Sequence, residues 1–509
     1  MQKSTQAVFL FIGLCLVFNF NLSCKKNKKT PQSFKDTITI LYLGDERVFH
    51  QDYWGVEATY WIFLPLVSNV GDERGEIRPV LAESWIHSDD YKTWTVKLRN
   101  DIYWHDGVQM TTKDVKFTID LRNKISANDM NIICEIIDDF TFKFIIDKPI
   151  STLPTWEVYY PKHLLDALDP EKYYNWDFWT HPVGNGPYKF VRGVPKTMVE
   201  VEVNPNYFGS KPKIKKAILK FSQTPSLQEL LSGNVDVITY VPRDFLFKIK
   251  GDVRFKSYHW WGSWIESVYW NHNNSLFYEA KVRKALTLAI NRVELAKVLN
   301  YPDNVPIIDV LSTRNQRKNA DLPKPLPFDS DKAIQLLNES GWEDTNNDGI
   351  LDKDGVEFKF NLLVDQSNTL MATYIQGNFR NIGVIMDIET IERNIIWQRL
   401  KKNDFEALIT WFPNSESNIS DIKVYFDKES NIGYKNRELD SLFNLIENTG
   451  DKVEIDNLYK KLIPIFERDI PVTFITPKVQ THIAKSNIKG LSSLFKADPV
   501  MFLEYLWIE

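Results

Sequence analysis

The chain of 509 residues is 43% hydrophobic and 25% charged, with 13% aromatic side chains. This composition excludes a disordered protein, and the length exceeds what one hydrophobic core fills, so two or three domains are expected. Lysine and arginine number 62 against 67 acidic residues, a formal charge of −5, with no basic stripe of the kind a nucleic-acid partner requires.

The N-terminus carries an address. Lys3 precedes an apolar run from Ala7 to Phe18, and Asn19 to Ser23 lead into Cys24 and the basic stretch Lys25-Lys26-Asn27-Lys28-Lys29. A positive start, a short apolar stretch and small residues at its end read as an export signal. The run is short for a membrane-spanning helix; an uncleaved anchor is the alternative reading. Leu22-Ser23-Cys24 resembles the processing site of bacterial lipoprotein signals, with Asn21 where an aliphatic residue is usual. That resemblance implies a signal peptide over residues 1–23, a lipid on Cys24 and a lipid-attached tether over 24–35. Acyl chains would hold the protein at a membrane, and the following lysines would add attraction to an anionic surface. Cys134 would then be the sole cysteine of the mature chain, unable to form an internal disulfide. Its setting, Ile132-Ile133-Cys134-Glu135-Ile136-Ile137, reads as packing rather than as a nucleophile. No later apolar run approaches membrane-spanning length.

Beyond the tether, β-branching and hydrophobicity predict a strand over Thr37–Tyr42. Trp94–Arg99 alternates apolar and polar residues, the pattern of a half-buried strand, and Thr141–Ile146 repeats the strand signal. Thr111 and Asp114 form a variant capping box before the helix through Val115–Ile119. Asn291 caps a second helix, with Glu294 expected to reach back to it. Ser330 precedes a third, over Ala333–Leu337, and Gly341 supplies its stop. Leu439, Leu442, Phe443 and Ile446 recur at helical spacing. So do Leu458, Leu462 and Ile465, with Pro464 expected to end or bend that helix. Short strands interspersed with helices predict α/β lobes built on mixed sheets. There is no solenoid period.

Several blocks now resemble the oligopeptide, dipeptide and nickel solute-binding proteins of ATP-driven importers. Arg78-Pro79-Val80-Leu81-Ala82-Glu83-Ser84-Trp85 opens that family's best-known motif. The motif continues through Trp94–Arg99 and Trp104-His105-Asp106-Gly107 to Lys113-Asp114-Val115. Gly184-Asn185-Gly186-Pro187-Tyr188 is similar to its crossing segment, followed by Asn204-Pro205-Asn206-Tyr207-Phe208. Val282–Leu286 with Ala289–Arg292, Gly341–Asp344, Asn381–Val384 and Asp469-Ile470-Pro471 follow in the family's order.

The resemblance implies a large two-lobed, three-domain periplasmic-binding-protein-like α/β fold with a hinge. A discontinuous domain I would cover 36–75, 186–262 and 478–509; domain II would insert over 76–185; domain III would span 263–477. Two chain crossings, near 260–265 and 475–480, would form the hinge, with ligand between domains I and III. The implied activity is capture of a peptide or other extended ligand for ABC importer permease subunits, by a monomer that needs no cofactor or metal.

In that family a carboxylate after a tryptophan commonly pairs with the ligand's ammonium, a charge-assisted contact. The matching loop here is Trp411-Phe412-Pro413-Asn414-Ser415-Glu416-Ser417-Asn418, without the expected aspartates. Asn414 supplies no charge, and Glu416 substitutes only if the loop turns inward. That departure leaves room for an oligosaccharide, a modified peptide or a metal complex. Aromatic candidates are Trp264 and Trp411, then Trp54, Trp261 and Trp270, since flat rings cover side chains or sugar faces. Asp45 and Glu46 follow the first strand and are candidates for cationic groups, beside the reading of a solvated loop. His105 and Asp106 read as supporting the fold, and Gly184, Gly186 and Pro187 as conformational residues. Asp344–Gly355 begins like a calcium loop, yet Gly355 stands where the bidentate glutamate belongs, so a polar turn is the stronger reading. No Gly-x-Ser-x-Gly elbow or His-Glu-x-x-His helix is present to favour a hydrolase. A surface sensor or adhesin with the same binding fold remains the other function class.

Overall fold

The computed structural model describes residues 36–43, 59–68, 77–125, 131–153, 157–194, 197–224, 226–312, 322–413, 419–426, 430–491 and 503–509. The fourteen strands that matter here are, in chain order, β1 (Thr37–Leu43), β2 (Ala82–His87), β3 (Thr93–Leu98), β4 (Ile132–Ile136), β5 (Thr141–Ile146), β6 (Tyr188–Val194), β7 (Met198–Val203), β8 (Lys216–Ser222), β9 (Val237–Ile238), β10 (Phe255–Trp270), β11 (Lys359–Val364), β12 (Ile385–Thr390), β13 (Ala407–Pro413) and β14 (Val472–Lys485). Ten of them make one mixed sheet in the order β12-β11-β13-β10-β14-β9-β1-β8-β7-β6. The other four form a separate antiparallel sheet, β2-β3-β5-β4.

Two long strands run the length of the large sheet. β10 and β14 pair antiparallel from Phe255↔Lys485 to Tyr269↔Val472, with register breaks between Trp261 and Ile265 and between Glu266 and Ser267. At one end β14 pairs with β9; at the other β10 pairs with β13. The buried apolar residues divide along the same line. Phe255 and Ile483 pack with the part of the molecule that holds β1 and α-helical residues such as Phe245. Ile265, Val268, Phe474 and Ile475 pack into the clusters of the part that holds β11 and β13. Among the described residues, no apolar cluster contains buried members from both sides of the crossing. The molecule is thus two halves joined by two strands.

Local sequence accounts for the principal elements. β3 buries Trp94, Val96 and Leu98, and β5 buries Phe142, Phe144 and Ile146, the alternation of a sheet with one covered face. The covering helix α1 (Thr112–Ile125) starts at the predicted box: Thr111 Oγ1 accepts from Lys113 N at 3.3 Å, while Asp114 Oδ2 accepts from Thr111 N at 2.8 Å. Cys134 is buried, and burial pushes its thiol up to about 12, which suits a packing residue.

Three expectations are corrected. After α2 (Ala280–Ala289), helix α3 (Arg292–Val298) has the Asn291 cap, with Oδ1 accepting from Glu294 N at 3.1 Å. Its reciprocal partner is not Glu294, which pairs with Lys297; Asn378 Oδ1 accepts from Asn291 N at 2.9 Å. A neighbouring helix reaches a donor that a local carboxylate was expected to take. Helix α4 (Ser330–Asn338) is capped one residue earlier than the sequence suggests, by Asp329 accepting from Lys332 N at 2.8 Å.

The third correction concerns Pro464. Following α5 (Thr369–Arg380), α6 (Arg393–Lys401) and α7 (Arg437–Glu447), helix α8 runs over Lys452–Asp469 and does not end at that proline. Its buried residues Leu458, Tyr459, Leu462, Ile465 and Phe466 lie on both sides of it. Their burial, at roughly 1.5–3 kcal/mol each, outweighs the ~3 kcal/mol an internal proline costs.

The calcium-like segment folds as a turn and hairpin. Asp344 spends its carboxylate on Asp348 N and Gly349 N at 3.1 and 2.9 Å, and Thr345 donates to Asp352. Asp352–Lys353 pairs with Val356–Glu357 across Asp354 and Gly355, both left-handed.

Candidate functional site

The directions of the parallel strands locate a crevice. β1 is parallel to β8 and β9, and β9 runs antiparallel to β14, so the carboxyl ends of β1 and β9 point along β10 toward the crossing. In the other half β11 is parallel to β12 and β13, and β13 runs antiparallel to β10 with Pro413 opposite Trp264. Its carboxyl ends therefore aim at the same crossing from the opposite side. In open α/β sheets the space beyond the strands' carboxyl ends is where ligands sit, and here two such ends face one another.

Aromatic rings stand at both ends. Tyr42 closes β1 and Tyr240 follows β9; their centroids lie 5.4 Å apart. Tyr240 also meets Trp260 at 5.8 Å and His482 at 5.4 Å, and Trp260 lies 4.0 Å from His482. Tyr240 sits in the left-handed region at φ 51, and its N–H donates to His482 Nδ1 at 3.2 Å. Sequence patterning offered no sign of this cluster, because its four members come from four different strands or their ends.

In the opposing half Trp411 is the centre. It is half-buried near the end of β13, 6.5 Å from the half-buried Trp264, and Tyr269 donates to its carbonyl at 2.9 Å. Lys478 Nζ lies 3.0 Å and the Arg393 guanidinium 4.3 Å from its ring centroid. These cation–π contacts hold the indole's orientation. Arg393 is itself aimed: its Nε donates to Asp365 Oδ2 at 3.0 Å and its Nη2 to Ser367 Oγ at 3.4 Å. Burial pushes the Asp365 carboxyl up, but Ser367 and Arg393 outweigh it and hold it below the ordinary value. Beside them Asn368 is 1% exposed, and its amide has no partner among the described residues. A half-buried ring flanked by two cations, one of them aimed by a buried carboxylate, can grip a polar molecule by shape and charge. No group of three or more histidine, cysteine, aspartate or glutamate side chains suited to a metal occurs among the described residues.

The predicted tryptophans separate. Trp264 and Trp411 come together, and Trp261 is half-buried opposite Val479 at the register break. Trp270 is a correction. It is fully buried, its Nε1 donates to Thr473 Oγ1 at 2.9 Å, and its ring packs 4.9 Å from Phe277. Six residues beyond Trp264 on the same strand, it lies under α2 in the core and is closed to ligand. Asp45, Glu46, Trp54, Asn414 and Glu416 lie outside the described residues; the chain enters their segments from Leu43 and Pro413, at the crevice ends of β1 and β13. Arg393, Lys478, Tyr42 and Tyr240 are residues the sequence reading did not single out.

Residues 76–431 match the family described as "Bacterial extracellular solute-binding proteins, family 5 Middle". The chain belongs to that family. This family 5 protein is 27% identical to the oligopeptide-binding protein AppA of Bacillus subtilis, over 96% of this chain and 94% of AppA. Its fold matches NikA of Brucella suis, solved with Fe(III)-EDTA, at a TM-score of 0.80 and 19% identity, covering 93% of this chain and 100% of NikA. It likewise matches NikZ of Campylobacter jejuni, solved with Ni(L-His), at 0.74 and 23% identity, covering 93% and 99%. The solute-binding protein has the mixed α/β architecture of these structures, and its family acts by binding rather than by catalysis.

Proposed function

We propose that this solute-binding protein captures a peptide or another extended polar ligand between its halves and passes it to the permease of an ATP-driven importer. The observation that carries this reading is the convergence of parallel-strand carboxyl ends from both halves on the crossing of β10 and β14. Walls on two sides can take most of a ligand's surface out of water, and rotation about two strands would open and close them. The register break at Trp261 and Ile265 supports a hinge there, and the division of the apolar clusters supports the outer limits of the third domain alone, since the first two share one cluster.

Trp411 and Trp264 are the ring contacts of the third domain, with Trp261 at the hinge. Asp45, Glu46, Trp54, Asn414 and Glu416 are further contacts, supplied from the segments that leave β1 and β13. The name of the Bacillus subtilis relative supports a peptide; the metal complexes in NikA and NikZ keep a chelated metal in the same class of ligand. Removal of residues 1–23 and lipidation of Cys24 hold the protein at a membrane outside the cytoplasm.

Mass spectrometry of the solute that co-purifies with the protein identifies the ligand, and calorimetry then tests the site. Trp411→Ala is expected to weaken binding about 10- to 100-fold, the range of a buried aromatic anchor, while the thermal midpoint moves by only about 2 °C. Unchanged affinity removes Trp411 from the site. Solute uptake that persists after deletion of the gene favours a sensor over a transport role.

A further inference from the structure

The halves of the molecule meet at a second place, away from β10 and β14. Between β2 and β3 the chain turns at Tyr91, a left-handed residue (φ 57) whose ring stacks on His87 at 4.1 Å. Its hydroxyl donates to Asp451 Oδ2 at 3.0 Å. Just beyond β5, Lys148 Nζ donates to Glu447 Oε1 at 2.8 Å. Glu447 is the last residue of α7, and Asp451 caps α8. Between them Gly450 comes so close that a Cβ there would fall 2.2 Å from Tyr91 Cβ. The four-stranded sheet and the segment after it thus touch the α7–α8 turn through these polar contacts and a bare backbone approach, with no shared apolar cluster among the described residues.

We infer that Tyr91 and Lys148 on one half, and Glu447, Gly450 and Asp451 on the other, form a latch that holds this protein closed and releases when it opens. The inference rests on the reading that a solute is captured by closure of the two halves. Rotation about the crossing strands leaves those strands continuous but displaces contacts made away from their axis, as these are. The chemistry is suited to repeated parting. When Lys148 withdraws, Glu447 keeps Lys423, whose Nζ donates to its Oε2 at 2.8 Å. When Tyr91 withdraws, Asp451 keeps its cap, with Oδ1 accepting from Glu454 N at 2.8 Å. Neither acid is stranded, and the tyrosine hydroxyl returns to water. Half-buried polar contacts of this kind are individually modest, so the latch biases the closed population without locking it.

Two sets of variants of the full mature chain test this. Tyr91→Phe with Lys148→Met removes both polar contacts and leaves every crevice residue in place. Release of the co-purified solute, followed by mass spectrometry during dialysis, is expected to be about 5- to 10-fold faster than in wild type. A release rate within twofold of wild type overturns the latch and leaves solute binding standing. Gly450→Ala is expected to wedge the halves apart and enlarge the radius of gyration by solution scattering. Tyr91→Gly in that background removes the clashing Cβ and is expected to return the profile to that of Tyr91→Gly alone. Unchanged scattering in Gly450→Ala overturns the latch even if no solute co-purifies. A protein that carries no solute and takes up none from a pool of random pentapeptides and sugars overturns the capture reading itself.

Discussion

Gly184→Ala is expected to destabilise the protein by about 3–5 kcal/mol, the upper range for a single substitution. A Cβ at this position would lie 1.9 Å from Ile62 O and 2.7 Å from Ile62 C, so the obstacle is backbone rather than a rotatable side chain. Nor can the carbonyl retreat. Ile62 O accepts from both Asn185 N and Gly186 N, at 2.9 and 2.7 Å, and His105 N donates to Gly184 O at 2.7 Å. Moving either segment sacrifices buried hydrogen bonds, and each unsatisfied group costs roughly 1–3 kcal/mol. Gly193→Ala is the comparison: its Cβ would meet Phe190 at 3.4 Å, ordinary contact, and the change should stay within about 0.5 kcal/mol. Urea denaturation of the two variants decides the matter; equal midpoints would mean that the close approach at Gly184 is not what fixes this glycine.

Much of the fold was legible because the diagnostic blocks are mostly structural joints. His105 and Gly184–Gly186 pin one another through three hydrogen bonds. Arg283 and Arg292, both nearly fully buried, tie α2 and α3 to the start of β14: Arg283 Nε donates to Ile470 O at 2.9 Å and Arg292 Nη1 to Phe474 O at 3.0 Å. Ile470, left-handed at φ 41, turns the chain from α8 into β14. Capping and periodicity were also readable, since they depend on neighbours in sequence. Where partners came from elsewhere, as Asn378 does for Asn291, local reading chose the wrong one. Pro464 does not end its helix for the same reason: packing on both sides of it in α8 outweighed a local preference.

The site was legible in part. Trp264 and Trp411 lie on adjacent antiparallel strands; the resemblance put Trp264 near the crossing and Trp411 in the loop that matches the family's ligand-pairing loop. Trp270 shows the limit of that logic, because a strand that begins in a crevice can end in a core, and period-two alternation does not reveal where the change occurs. Arg393 and Lys478 are more instructive. They reach the Trp411 ring from α6 and from β14, segments 85 positions apart in numbering. Nothing in either segment marks its cation for an indole.

Acidification is expected to destabilise the protein through His272, by up to about 4 kcal/mol between pH 6.5 and 3. The ring is 7% exposed, with Nε2 2.9 Å from Pro471 O and Tyr434 5.1 Å away. Burial, and then the positive charge of Arg283, push its pKa down to about 3, against the weaker upward pull of Pro471 O and Asp469. In the unfolded chain the same imidazole protonates near 6.5. Between those values the unfolded state binds the extra proton, so stability is full above about pH 6.5 and drains away as the pH falls toward 3. His105, pushed down to about 4 chiefly by burial, adds in the same direction. Glu504 works against both: burial raises its carboxyl to about 7, so it favours the folded state at low pH and loses that contribution as the pH rises through 7. A whole-protein profile mixes these slopes, and the difference between wild type and His272→Gln isolates one. That difference should shrink steadily from pH 7 to pH 4, because glutamine keeps a donor for Pro471 O but takes up no proton. A difference that stays constant across the range would mean that His272 is not the group whose protonation unfolds the chain.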